Sequence, residues 1–186
     1  MSRIWLVRHG PTHAKGMVGW TDLPADLSDA AALARLNAHL PQVPVISSDL
    51  TRAVATADAL HSRQRLPHDA DWRELHFGAW EMQTFAEVEA ASPDHIRAFW
   101  ETPGEISPPG GESWNAICGR IERAVQRLAP VPEVIVVAHF GAIVAAIQHA
   151  GGLTATQAFG HKIDNLSVTC LEFGAAPRVL SINHIP

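Results

Sequence analysis

The chain has 186 residues, 47% of them hydrophobic and 18% charged, enough for a single domain that buries about 70% of the surface its unfolded form exposes. Its formal net charge of −5 and the absence of any Lys/Arg cluster exclude a nucleic-acid partner, since such binding rests on a basic patch facing phosphates. Its two cysteines, Cys118 and Cys170, point to neither a disulfide framework nor a zinc motif, and as buried thiols they fit a reducing cytoplasm.

Residues 4–10 read Ile-Trp-Leu-Val-Arg-His-Gly. The four apolar residues form a short buried strand, so Arg8 and His9 stand where it leaves the core, and the carboxyl ends of strands in open α/β sheets are where ligands bind. Gly10 allows a sharp turn and the close approach of a ligand. A fixed cation beside an imidazole on a rigid strand end suits an anion such as a phosphate. A strand this close to Met1 leaves no room for a signal peptide, and the longest apolar runs, 134–138 and 142–147, fall far short of the ~20 residues that cross a bilayer. A cytoplasmic protein with no membrane partner is expected.

Residues 11–24, rich in Gly, Pro, Thr and Trp, form a loop. A helix over 29–40 is stopped by Pro41, a second strand covers 43–46, and a helix runs over 50–61, which is the alternation of parallel βαβ units. Arg52 sits in the first turn of that helix, where the positive end of the dipole disfavours a cation. Either a shared anion held by the helix N-terminus and the guanidinium explains it, or a pairing with Asp49. The irregular segment 67–81 places Glu74 among Trp72, Phe77 and Trp80, surroundings that raise a carboxyl pKa and suit a general acid. A surface pairing of Glu74 with Arg73 is the alternative, and Glu81 competes for the acid role.

Helices over 84–91 and 93–101 lead into a Pro/Gly-dense stretch at 102–111, so 86–111 is read as a cap over the site. A helix over 114–128 carries Ile117, Ile121, Val125 and Leu128 at core spacing. Residues 134–138 form the most hydrophobic strand, expected to be central, and it ends in His139-Phe140-Gly141 at the head of a helix closed by Gly151-Gly152. A short helix at 154–159 and a pair of strands at 166–173 and 179–183 close the chain. Eleven histidines show no zinc-ligand spacing; His39, His61, His68, His95, His149 and His161 read as surface residues.

In order and spacing, Leu-Val-Arg-His-Gly-Pro-Thr at 6–12, Ser-Ser-Asp-Leu-x-Arg-Ala-x-x-Thr-Ala at 47–57, Arg-Glu-Leu-His-Phe-Gly-Ala-Trp-Glu at 73–81 and the second histidine at 139 resemble the histidine phosphatase superfamily, also called phosphoglycerate-mutase-like. The resemblance covers nearly the whole chain. It implies one domain over 1–186, built as an α/β three-layer sandwich with a mainly parallel central sheet and helices on both faces. It further implies metal-independent hydrolysis of a small phosphoester, with no cofactor. His9 is the implied nucleophile and Glu74 the proton donor, favoured over Glu81 because it precedes Gly78 by four residues. Arg8, Arg52 and His139 surround the phosphate, and Thr12 and Phe140 touch the rest of the substrate. Pro11, Thr12 and Lys15, where the mutase branch differs, favour a phosphatase over a mutase. Phe140 departs from the family's usual glycine after the second histidine, which leaves a binding module without turnover as an alternative, and a phosphohistidine protein phosphatase is another. The motifs at 77–81 and 109–113 resemble α-ribazole phosphatases and also occur in broad-specificity sugar-phosphate phosphatases.

Overall fold

Strand β1 (Ser2–Arg8) turns Ile4 and Leu6 to one face of a sheet and Trp5 and Val7 to the other. Both faces are apolar, so both must be covered. In the computed structural model, which describes residues 1–186, α1 (Ala30–His39) and α2 (Thr51–Asp58) cover the Val7 face through Leu36, Ala53 and Ala57. The Ile4 face packs on α3 (Phe85–Ala91), α4 (Pro93–Glu101), α5 (Trp114–Leu128) and α6 (Phe140–Gly151), with α7 (Ala155–Phe159) beside them. This is the expected α/β three-layer arrangement. No helix is long and apolar enough to cross a membrane.

The sheet is completed by β2 (Val45–Ser47), β3 (Glu133–Ala138), β4 (Val168–Phe173) and β5 (Arg178–His184), in the order β2-β3-β1-β4-β5. β2, β3 and β1 run parallel; β4 is antiparallel to β1 and β5 to β4, so four of the five strands share one direction. The most hydrophobic strand, β3, lies inside the sheet as expected, and β1 takes the middle. On α5 the four residues at core spacing are all buried.

The register fixes the site. Arg8 is opposite Ala138, and Ser47 opposite Val137, so His9 and His139 emerge level with each other at the carboxyl ends of their strands, and Ser48, level with Ala138, lies one step before them on the third parallel strand. His9 N–H donates to Ala138 O (3.1 Å) and Ser48 N–H to Val137 O (3.1 Å), which carries the ladder one step past the strands. Gly10 has no positive φ, so its need for glycine is not the sharp turn expected from sequence. Packing favours it instead, because a Cβ there would stand 3.1 Å from the Asp26 carbonyl oxygen and would push the Leu27 side chain aside.

Candidate active site

Arg8, His9, Thr12, Arg52 and Glu74 line one polar cavity of about 130 Å3, closed by Ala14, Gly16 and Val18 of the loop after β1. The walls therefore come from the 12–18 loop. From the 86–111 segment, Trp100 instead reaches an adjoining aromatic crevice, described below.

His9 is 6% exposed, and its Nδ1 lies 2.6 Å from Gly10 O. A carbonyl can only accept, so Nδ1 carries the proton and the neutral ring keeps its lone pair on Nε2. Burial, reinforced by the Arg52 and Arg8 charges and opposed by the Gly10 hydrogen bond, pushes the imidazole pKa down to about 3. The ring is thus a neutral base with one nucleophilic nitrogen across the physiological range.

Arg52 is 1% exposed, and it does not pair with Asp49, which binds Arg73 instead. Arg52 Nη1 donates to Thr21 O (2.9 Å) and Nη2 to Gly19 O (2.6 Å). Those carbonyls are held by Glu81, the residue that competed with Glu74 for the acid role. Its carboxylate accepts from Gly19 N, Trp20 N, Thr21 N, Thr21 Oγ1 and Phe77 N. Burial would raise the Glu81 carboxyl, yet these donors hold it below the ordinary range, so it is a loop clasp and stays ionised. Arg8 Nη1 donates to Ile163 O (2.5 Å), while its Nε is buried without a protein acceptor.

Glu74 is 8% exposed. Its Oε1 accepts from Leu75 N and from Gly141 N, each at 2.8 Å, which leaves Oε2 for the cavity. A Cβ at position 141 would stand 2.3 Å from Oε1, so the glycine after Phe140 lets α6 bring its N–H to the carboxyl. Burial raises the Glu74 pKa against the opposing pull of Leu75 N–H, Arg8, Arg52 and Gly141 N–H. The surface pairing with Arg73 does not occur. On the other side Glu74 borders an apolar crevice of about 30 Å3 walled by Phe77, Trp100, Trp114, Phe140 and Phe159.

His139 lies deeper than the sequence suggests. It is fully buried and outside the open cavity lining, its ring centroid 4.9 Å from that of His9. Phe140 lines the aromatic crevice rather than the polar cavity, with the Arg8 guanidinium 5.7 Å from its ring centroid. A larger hollow of about 420 Å3, between His13, Asp26, Arg35 and Pro186, holds none of the candidate catalytic or substrate-binding residues.

Arg120 was missed. It is 5% exposed on α5, and its guanidinium donates to Asp71 O, Arg73 O and Glu74 O (2.7–2.8 Å) and to both oxygens of Glu112 (2.9 Å). Glu112 in turn accepts from His76 N (3.0 Å). The irregular segment carrying Glu74 therefore hangs on one buried ion pair, which also accounts for the glutamate of the 109–113 motif, while Ser113 caps α5 by accepting from Ala116 N. The available signal was an arginine three residues after Ile117, on the core-facing side of an amphipathic helix. Arg120→Ala should lower stability by about 3 kcal/mol, since it strands Glu112 and three carbonyls. Urea unfolding checks this, and a loss under about 1 kcal/mol would mean the segment is held elsewhere.

The profile of the histidine phosphatase superfamily (branch 1) matches residues 4–184. Glucosyl-3-phosphoglycerate phosphatase of Mycolicibacterium vanbaalenii is 36% identical over 141 residues, 72% of this chain and 60% of that protein, so the chain spans under two thirds of that relative's length. Adenosylcobalamin/alpha-ribazole phosphatase of Escherichia coli is 28% identical over 87% of this chain and 85% of its own. Among solved structures, mycobacterial glucosyl-3-phosphoglycerate phosphatase superposes with a TM-score of 0.85 at 27% identity, over the full length of both chains. With nearly every residue inside the matched span, the chain belongs to the histidine phosphatase superfamily.

Proposed function

We propose that the protein is a metal-independent phosphomonoesterase acting on a small phosphorylated metabolite through a phosphohistidine. The observation that carries this reading is the His9 tautomer: with Nδ1–H held by Gly10 O, Nε2 presents its lone pair beside the buried Arg52, the half-buried Arg8 and a buried carboxylic acid. Nε2 attacks phosphorus, the bond to the leaving oxygen breaks, and that oxygen takes the proton from Glu74 Oε2. The resulting carboxylate then takes a proton from water, whose oxygen attacks the same phosphorus. The N–P bond breaks, inorganic phosphate leaves, and Nε2 regains its lone pair. Arg8 and Arg52 stabilise the charge on the non-bridging oxygens.

The leaving group departs on the Glu74 side, which is the side of the aromatic crevice, so Phe140 and Trp100 meet it while Thr12 meets the phosphate side. The crevice has room for little more than a water, so the choice of α-ribazole 5'-phosphate rests on the likeness to the adenosylcobalamin/alpha-ribazole phosphatase of Escherichia coli. In excess EDTA the protein is expected to hydrolyse p-nitrophenyl phosphate between about pH 5 and 8, and in a panel of phosphorylated metabolites to prefer α-ribazole 5'-phosphate to 3-phosphoglycerate derivatives. Binding of vanadate without turnover of any ester would replace this reading with that of a phospho-ligand binding module.

A further inference from the structure

Ser48 closes the row of strand-end residues that begins with His9 and His139, and the phosphatase reading gives it no task. Its Oγ stands 2.6 Å from His139 Nε2, and both side chains are fully buried. The other ring nitrogen of His139, Nδ1, is buried with no protein partner. The only other group near Ser48 Oγ is Leu50 N–H, which donates to it weakly at 3.4 Å.

These facts restrict the protons. If His139 Nε2–H donated to Ser48, the hydroxyl would accept twice and its own proton would be stranded in a dry site. If Ser48 donates to Nε2, its proton is satisfied, and the neutral ring must carry its hydrogen on Nδ1. Full burial and the surrounding His9, Arg52, Arg120 and Arg8 hold the ring neutral, so a doubly protonated ring does not offer a third arrangement. An unpartnered N–H on a ring whose centroid lies 4.9 Å from that of His9 is a donor waiting for an anion, whereas a bare Nδ1 lone pair would repel a phosphoryl oxygen.

We propose that Ser48 is a positioning residue that fixes His139 as the Nδ1–H tautomer, so that Nδ1–H, and not Nε2–H, is the donor presented to the phosphoryl group on His9. The role of His139 as a phosphoryl donor rests on the proposed function; the tautomer assignment does not. The hydroxyl does to the second histidine, through its acceptor nitrogen, what the Gly10 carbonyl does to the first through its donor nitrogen. The two rings are thereby locked in opposite senses: His9 shows the site a lone pair and His139 shows it a proton.

The test uses the full chain labelled with 15N-histidine, with His139→Gln identifying the His139 signals. The wild type should show a protonated Nδ1 and a hydrogen-bonded, unprotonated Nε2 at neutral pH. Ser48→Ala should move His139 toward the other tautomer and lower kcat about ten- to hundredfold with KM little changed, the share of a partly misplaced oxyanion donor. Ser48→Thr, which restores the hydroxyl, should recover the wild-type nitrogen pattern. A wild-type His139 protonated on Nε2 overturns the proposal, and so does a Ser48→Ala protein, folded by circular dichroism, whose His139 signals are unchanged. If no phosphoester is turned over by the wild type, the proposed function falls while the nitrogen pattern still decides the role of Ser48.

Discussion

Replacing His9 by alanine is expected to lower turnover of every phosphoester by at least about ten-thousandfold, the loss seen when the nucleophile of a covalent mechanism is removed. Binding should survive the change. Arg8 is held by Ile163 O, and Arg52 by the carbonyls that Glu81 clasps, and neither arrangement uses the imidazole. His9→Ala should therefore still bind inorganic phosphate within about tenfold of the wild type while forming no acid-labile phosphoenzyme in rapid-quench experiments. Full activity in this variant would place the nucleophile elsewhere.

The same substitution has a pH signature. The folded His9 ring takes a proton only near 3, whereas an unfolded histidine takes one near 6.5, and the His139 pKa is lowered in the same direction. Between those values the unfolded state binds more protons, so stability is complete above about pH 6.5 and is lost progressively as the pH falls. His9→Ala should flatten that acid limb in thermal melts. An unchanged limb would show that burial of His9 does not govern acid stability.

What was legible in the sequence, and what was not, follows from how each residue is held. Arg8-His9 could be placed at a strand end because an apolar run stops there and charge begins, and the same contrast marks Ala138-His139. Continuous apolar runs likewise exposed β1 and β3, and a period of 3.6 exposed α5. The cavity walls did not follow from pattern. Residues 12–18 have no period, and their position is set by distant bonds: Met17 N–H to Gln83 O and Met82 N–H to Met17 O, with the clasp of Glu81 next to them. Glu81 and Arg120 look like surface charges in one dimension, since nothing local shows that their partners are backbone groups dozens of residues away. Ser48 belonged to a recognised motif, but its link to His139 exists only through the parallel pairing of β2 with β3, which sequence order does not state. The depth of His139 has the same origin.

Glu74→Gln separates proton donation from the rest of the machinery, because the amide can keep its carbonyl oxygen on Leu75 N–H and Gly141 N–H and so preserve the geometry of the segment. An acid matters in proportion to the need of the leaving oxygen for a proton. For alkyl phosphates, whose alkoxides are strong bases, the loss should be about a hundredfold or more, within the usual range for general acid catalysis. For p-nitrophenyl phosphate, whose phenolate leaves unaided, dephosphorylation of the enzyme limits the effect to the base role of the same residue, and the loss should be clearly smaller. The pH profile gives a second reading. Burial raises the wild-type carboxyl, so kcat/KM for an alkyl ester should fall on the alkaline side as Glu74 loses its proton, and the glutamine variant should lack that limb. Equal losses for both esters, or an alkaline limb that persists in Glu74→Gln, would move the acid to another residue; Glu81 is a poor replacement, since five donors keep it ionised at the foot of the loop.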